Sequence, residues 1–248
     1  SATLSDGESS IFWHTCTVMT SNCGKLVLEF KCGGPYPCLL GRVFFDFLEA
    51  SPWLRELELF NIVFQEDHCR ELATLERADL GIHFDCCTFD ARDAEDAFID
   101  WLRHSQVITK LENCAMGDSI IISALNGNSS VKSLSIDTAS YLNSDLARAL
   151  AGNQGIQDLH LSRLSDETET WSFPMRSLWA HPRIRSMSLS FDYELSAESM
   201  TNMMNALLRL AQCNTLLRSI DLPYYAEDEE IFQNFILPRL KMNRKRFE

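Results

Sequence analysis

The chain has 248 residues, of which 46% are hydrophobic and 23% charged, with 10 Gly and 7 Pro. This composition excludes collagen, low-complexity disorder and a small disulfide-bonded domain, and the length permits a sizeable core. The formal net charge of −13 disfavours nucleic acid and anionic lipid as partners. No run of about 18 apolar residues occurs, so we expect no membrane-spanning helix.

The N-terminal segment predicts a tail and a strand. Residues 1–10 are rich in Ser, Gly and acidic side chains, and we expect them to be mobile. Residues 10–19 predict a strand that either pairs with residues 25–30 as a hairpin or ends an earlier repeat. We therefore expect a tail and cap over 1–24, repeats over 25–226, and a capping helix with a basic tail over 227–248.

A hexad recurs along the chain, with an apolar residue, a second three positions later and a third two positions after that. The hexads begin at residues 25, 54, 79, 108, 131, 156, 184 and 217, which are 23 to 33 residues apart. Alternation of this kind predicts a short strand with one apolar face. The unit at 108 looks shortened by two residues, so we expect an irregular strand there.

Helical patterns follow several of the hexads. They cover residues 93–103, 144–150 and 196–210, the last with Ser196 as its N-cap. A final helix over 227–242 contains Pro238, which predicts a kink or a shortening of the helix. Five basic residues near the C-terminus compensate the negative end of this helix. They are Arg239, Lys241, Arg244, Lys245 and Arg246. The same cluster could serve instead as a targeting or docking patch.

The repeated unit resembles the leucine-rich repeat family, in its ribonuclease-inhibitor-like class. Four hexads carry the resemblance: Leu54, Leu57 and Leu59; Val131, Leu134 and Ile136; Ile156, Leu159 and Leu161; Leu217, Ile220 and Leu222. The resemblance implies an α/β solenoid, or horseshoe, of about eight repeats with a parallel concave β-sheet and helices on the convex side. The alternative is a doubly wound α/β domain, which would need longer apolar strands and Gly-rich turns.

In a repeat of this class, the side chains that point away from the core line a concave face, the usual contact surface in similar proteins. One outward column holds Glu29, Glu58, His83, Glu112, Ser135, His160, Ser188 and Asp221, and aromatic residues lie beside it. Aromatic and charged residues together are typical of binding hot spots. We expect partner contacts from Glu29, Glu58, Phe60, His83, Asp85, Glu112, His160, Asp221 and Tyr224. The alternative is that these residues are merely solvated and that a rim or the convex side makes the contacts.

The nine cysteines are odd in number and irregularly spaced, which argues against a complete disulfide framework. We therefore expect reduced, mostly buried thiols and a cytoplasmic or nuclear location. An alternative stays open, in which four early cysteines bridge the cap of a secreted protein; they are Cys16, Cys23, Cys32 and Cys38.

Sequence motifs for catalysis or nucleotide binding are lacking: the chain has no GxGxxG, GxxxxGK[ST], HExxH or GxSxG. His83, Cys86 and Cys87 are clustered, but adjacent cysteines on a strand point to opposite faces. We therefore predict that Cys87 is a core turn residue and His83 a surface residue. We expect no enzyme activity, no cofactor and no metal.

The function that this sequence predicts is a non-enzymatic scaffold or adaptor that binds a protein through its concave face. The acidic charge favours a partner with a basic surface. The alternative is a fixed structural subunit of a larger assembly. The expected state is a monomer or a subunit of a hetero-complex, without membrane insertion.

Overall fold

A computed structural model describes residues 16–20, 25–30, 42–75, 77, 79–112, 124–137, 144–164, 172–191, 193–223, 226 and 230–246. The chain forms two compact units, Ser1–Gly117 and Asp118–Glu248. Both are built from strands alternating with helices, as predicted. The domain boundaries that we expect at residues 24 and 226 remain a prediction.

The first unit contains seven strands and three helices in its described residues. In chain order they are β1 (Cys16–Thr20), β2 (Lys25–Phe30), α1 (Arg42–Glu49), β3 (Glu56–Phe60), β4 (Val63–Phe64), α2 (Glu66–Thr74), β5 (Gly81–Asp85), β6 (Thr88–Phe89), α3 (Arg92–His104) and β7 (Ile108–Glu112). Strands β2, β3, β5 and β7 pair in parallel in that order, while β4 pairs with β6. β1 is antiparallel to β2, which confirms the hairpin.

Two strands of the first unit lie in a different register from the one that the hexads predict. Leu26 of β2, rather than Leu28, lies beside Leu57, so the first hexad was placed two residues too far along the chain. In β7, Ile108 pairs with Ile82 but Leu111 pairs with Phe84, and the register shifts by one residue between Ile82 and His83. The predicted irregularity is therefore confirmed. However, β7 contains an inserted residue and is not shortened, because Ile108 and Leu111 both keep apolar partners on β5.

An aromatic cluster forms the core of the first unit. The ring of Phe84 on β5 lies 5.5 Å from that of Phe64, 5.2 Å from that of Phe98 and 5.8 Å from that of Trp101. Phe98 and Trp101 belong to α3, so these edge contacts hold the helix against the inner face of the strand. Phe84 is 1% exposed.

The described residues of the second unit contain four strands, four α-helices and one π-helix. They are β8 (Ser133–Asp137), α4 (Ser144–Gly152), β9 (Asp158–Leu164), α5 (Ser172–Leu178), β10 (Ser186–Phe191), α6 (Ala197–Cys213), β11 (Ser219–Asp221), a π-helix (Phe232–Ile236) and α7 (Leu237–Lys245). Strands β8, β9, β10 and β11 pair in parallel in chain order. A doubly wound sheet would instead reverse its strand order and cover both faces.

In the second unit, a buried polar side chain lies three residues before the apolar residue that begins each hexad. Oδ1 of Asn153 accepts from the N–H groups of Gly155 (2.8 Å) and Ile156 (3.0 Å), and its Nδ2 donates to the carbonyl of Leu125 (3.0 Å). Asn128, His181 and Asn214 accept from the backbone at the same spacing. Each polar group thus satisfies the backbone where a helix ends and a strand begins.

The predicted helices are confirmed within a few residues. The interval 93–103 lies in α3, and α6 begins at Ala197 with Ser196 Oγ accepting from the N–H of Ser199 (3.3 Å). The π-helix interrupts the last predicted helix next to Pro238, because proline cannot donate the helical hydrogen bond. Among the basic residues, Arg244 and Lys245 lie in the last turn of α7, whereas Arg239 donates to the carbonyls of Ala211 and Gln212.

The cysteines whose side chains the structure describes carry free thiols. Cys69 and Cys87 are buried, Cys86 is half-buried and Cys213 is exposed, so burial is less general than predicted. Burial raises the pKa of Cys69 to about 12. No helix within the described ranges is long and apolar enough to cross a bilayer.

Candidate functional site

The outward face of the first unit carries a dense group of charged side chains. Along β3, β5 and β7 the inward residues are apolar and buried, and the alternating positions point away from that core. The outward residues are Glu58 and Phe60 on β3, His83 and Asp85 on β5, and Lys110 and Glu112 on β7. All six are half-buried, because neighbouring strands bring them into contact.

His83 stands at the centre of this group, between two carboxylates. Its Nδ1 lies 3.1 Å from Oε1 of Glu58, and its Nε2 lies 3.1 Å from Oε2 of Glu112. The ammonium of Lys110 donates to the same oxygen of Glu112 at 2.8 Å. The side chain of His83 is 13% exposed, so it lies on the outward face but is more buried than the solvated surface residue that the sequence predicts.

The surroundings of His83 have opposing effects on its pKa. Burial lowers the pKa of His83 below its ordinary value of 6.5, and the charge of Lys110 acts in the same direction, while Glu112, Glu58 and Asp85 oppose it. Both ring nitrogens therefore lie against carboxylates in a half-buried position, and an ammonium lies nearby.

The register of the strands decides which residues are neighbours. Glu58 and His83 share a row, as predicted, but Lys110 completes that row and Glu112 lies beside Asp85. The extra residue in β7 brings Lys110 instead of Thr109 beside His83, and the predicted hexad at 108 lay two residues too far along the chain, since Leu111 pairs with Phe84. Glu112 still reaches His83 diagonally, with its carboxylate at Nε2.

Two further predicted site residues, Glu29 and Tyr224, are described only in part or not at all. Glu29 lies on β2 in register with Phe60, not with Glu58, because the first hexad was misplaced by two residues. The side chain of Glu29 and all of Tyr224 lie outside the described residues.

The outward face of the second unit is small and polar. His160 on β9 is in register with Ser135 and Ser188, and Ser188 is in register with Asp221, so the predicted column is confirmed within this unit. His160 is half-buried and Asp221 exposed. The residues in register with this histidine are serines, whereas Glu58 and Lys110 are in register with His83.

A mixed set of possible metal ligands lies in the first unit. One ligand atom each from His83, Asp85 and Glu112 lies within 4.8 Å of the other two. The neighbouring cysteines take no part in this set. Cys87 is 1% exposed and its thiol donates to the carbonyls of Leu59 (3.3 Å) and Asp85 (3.4 Å), which confirms it as a core turn residue.

Sequence reasoning did not identify Lys110 as a site residue, nor the polar residue before each strand. Lys110 could have been recognised from the alternating charges of Lys110 and Glu112 on one strand. The second signal is also visible in the sequence, because Ser105, Asn128, Asn153, His181 and Asn214 each precede a hexad by three residues.

Comparisons with known proteins add little. No family model matches the chain, and no curated protein matches its sequence. A solved structure described as leiomodin-1 actin-binding site 2 is similar at 13% identity and a TM-score of 0.35, covering 63% of this chain and 79% of that chain. At that TM-score the likeness carries no argument about fold or function.

Proposed function

We propose that the chain is a leucine-rich-repeat protein of the ribonuclease-inhibitor-like class that binds another protein and has no catalytic activity of its own. Three features of the described residues support the repeat class. Within each unit the parallel strands follow chain order, helices alternate with them, and a polar residue recurs before the strands of the second unit. Such units bury their apolar faces only by stacking.

The half-buried charged row of the first unit is the observation that carries the binding function. His83 is held between Glu58 and Glu112, and these neighbours restrict the side chains before any partner arrives. Less side-chain freedom is then lost on binding. Phe60 adds an aromatic ring beside these charged residues, because it is in register with Asp85. This combination suits an arginine of the partner, which can pair with a carboxylate and stack on the ring.

The net charge of the chain supports a basic partner. A formal charge of −13 attracts a cationic surface and accelerates the encounter at low salt. Free thiols at Cys69, Cys86, Cys87 and Cys213 suit a reducing compartment, so we place the protein in the cytoplasm or nucleus.

The alternative, a fixed subunit of a larger assembly, has one observation in its favour. Phe235 and Met242, seven residues apart near α7, are 58% and 52% exposed. Large exposed apolar side chains often mark a permanent interface. Size-exclusion chromatography separates the two functions, because an adaptor is a stable monomer alone, whereas a fixed subunit self-associates.

Substitutions on the outward faces of the two units test the proposed function. The full chain and its variants serve as baits for affinity capture, and the captured partner is then titrated in purified form. We expect Glu58→Lys and Phe60→Ala each to weaken binding at least about tenfold, in the range of interface hot spots, and the affinity of the unchanged chain to fall with added salt.

Asp158→Lys is the matched control, because Asp158 is an exposed outward residue of β9 in the second unit. It makes the same charge change, and we expect it to leave the affinity unaltered. Equal losses from Asp158→Lys and Glu58→Lys would show that only net charge matters. Retained binding in both first-unit variants would reject this face as the contact surface.

A further inference from the structure

We propose that His83, Asp85 and Glu112 bind one divalent transition-metal ion of the zinc class. The donor set is one imidazole nitrogen and two carboxylate oxygens, which zinc accepts alongside an open position. The proposal does not require a protein partner, and it departs from the expectation that the chain binds no metal.

Strand geometry brings the three ligands together. His83 and Asp85 are two residues apart on β5, so their side chains point to the same face. Glu112 on β7 is in register with Asp85. As a result, one donor atom from each residue lies within 4.8 Å of the other two, on strands rather than on a mobile loop.

The contact between His83 and Glu112 has the separation of two ligands on one ion. Nε2 and Oε2 are 3.1 Å apart. With metal–ligand bonds of about 2.0–2.2 Å, donors at this separation subtend roughly 95° at the ion, which lies between octahedral and tetrahedral values. Small movements of the third ligand, Asp85, would complete the set.

Glu58 stands where a supporting carboxylate is found in metal sites. Its Oε1 lies 3.1 Å from Nδ1 of His83, on the far side of the ring from Glu112. Carboxylates at this position accept the Nδ1 proton, orient the ring and direct the Nε2 lone pair at the metal.

Lys110 competes with the metal for the same oxygen. Its ammonium lies 2.8 Å from Oε2 of Glu112 and its side chain is 37% exposed. The cluster itself comprises three carboxylates and this one ammonium, so a divalent ion adds charge where negative charge is in excess. Because the lysine is partly exposed, it can swing into water when the ion binds.

The test is zinc titration by calorimetry on the purified, chelator-treated full chain. A Cys213→Ser background removes the exposed thiol among the four described cysteines, and cobalt is used in parallel because its visible spectrum reports coordination. We expect one ion per chain. His83→Gln and Asp85→Asn should each weaken binding at least tenfold, and Glu58→Gln by about tenfold or more.

Two further variants separate a metal site from general damage. His160→Gln alters a half-buried outward histidine of the second unit, and we expect no change in affinity. Lys110→Gln should tighten binding several-fold, a gain that misfolding cannot produce. Equal zinc affinity of His83→Gln and the unchanged chain, an equal loss in His160→Gln, or no gain in Lys110→Gln would overturn the proposal.

Phe60→Ala distinguishes a failure of the zinc site from a failure of the proposed partner binding. It removes the aromatic ring expected to contact a partner and none of the metal ligands, so zinc affinity should be unchanged. Zinc binding could then fail while the partner still binds, or the reverse.

Discussion

The outward faces of the two units differ although both arise from alternating strands. In the first unit, Glu58, His83 and Glu112 contact one another across three strands. In the second unit, His160 stands in a row with Ser135 and Ser188. The same strand pattern therefore supplies the scaffold in both units, while the outward residues, which the core does not constrain, determine the chemistry.

The turns that lead into the strands differ as well. In the first unit, Arg77 donates to the carbonyls of Leu48 (3.1 Å) and Ser51 (2.8 Å), so a side chain from a later segment satisfies an earlier turn. In the second unit, Asn153 and Asn214 satisfy their own turns and reach back to the preceding one. The first unit uses this kind of turn at Ser105 and adds an aromatic core, whereas the second unit repeats the buried side-chain hydrogen bonds, and each feature can be broken separately.

Phe84→Ala should have the largest effect, because it opens a cavity in the aromatic core of the first unit. We expect a loss of about 3–5 kcal/mol in the free energy of unfolding, the usual range for a buried phenylalanine. Denaturant titration measures the total loss, and native-state hydrogen exchange should show faster exchange in β3, β5 and β7. Phe235→Ala, at a residue that is 58% exposed, is the matched control and should change stability by less than about 0.5 kcal/mol. A comparable loss in both variants would refute the dependence on this cluster.

The fold was largely predictable because burial imposes a period on the sequence. The hexads at 54, 79, 131, 156, 184 and 217 locate strands, since an apolar residue at every second position can face only one side. Register is harder to predict where the pattern is ambiguous. Leu26, Leu28 and Phe30 offer two equivalent alignments with β3, and only the pairing in the structure selects one.

Asn153→Ala is expected to have the next largest effect. It leaves the carbonyl of Leu125 and the N–H groups of Gly155 and Ile156 without their side-chain partners in a buried turn. We expect a loss of roughly 2–4 kcal/mol, since an unsatisfied buried group costs about 1–3 kcal/mol. Asn205→Ala, an exposed position of α6, is the control and should be near neutral. Denaturant titration of both variants checks this, and near-neutral behaviour at Asn153 would remove the contrast between the units.

Most members of the charged group on the first unit were predictable, with Lys110 as the exception, but their contacts were not. Alternation places Glu58, His83 and Asp85 on one face, which depends on local sequence alone. The contact of Glu112 with His83 depends on the extra residue in β7, a feature of strand pairing. Likewise, the position of the imidazole between two carboxylates can be recognised only when distances across strands are known.

His181 provides a smaller and more selective test within the second unit, because it occupies a position where the neighbouring turns use asparagine. Its Nδ1 accepts from the N–H groups of Arg183 (3.3 Å) and Ile184 (3.2 Å), so the ring must stay unprotonated there. Burial lowers the pKa of His181, against an opposing contribution from the backbone of Asn153. The unfolded chain then takes up its proton first as the pH falls. The stabilisation is therefore fully present above about pH 6.5 and declines below it.

His181→Asn should reduce this pH dependence, because an amide oxygen accepts from the same two N–H groups and does not titrate. The measurement is the free energy of unfolding from denaturant titrations between pH 5 and pH 8, for the variant and the unchanged chain. The pKa of His83 is also lowered, so some decline should persist in the variant. His104→Asn makes the same substitution at a histidine whose side chain is 78% exposed, and it is the control for the loss of an imidazole as such. Identical pH profiles for His181→Asn and the unchanged chain would contradict this prediction. They would mean that His181 adds no pH dependence to the stability of the second unit.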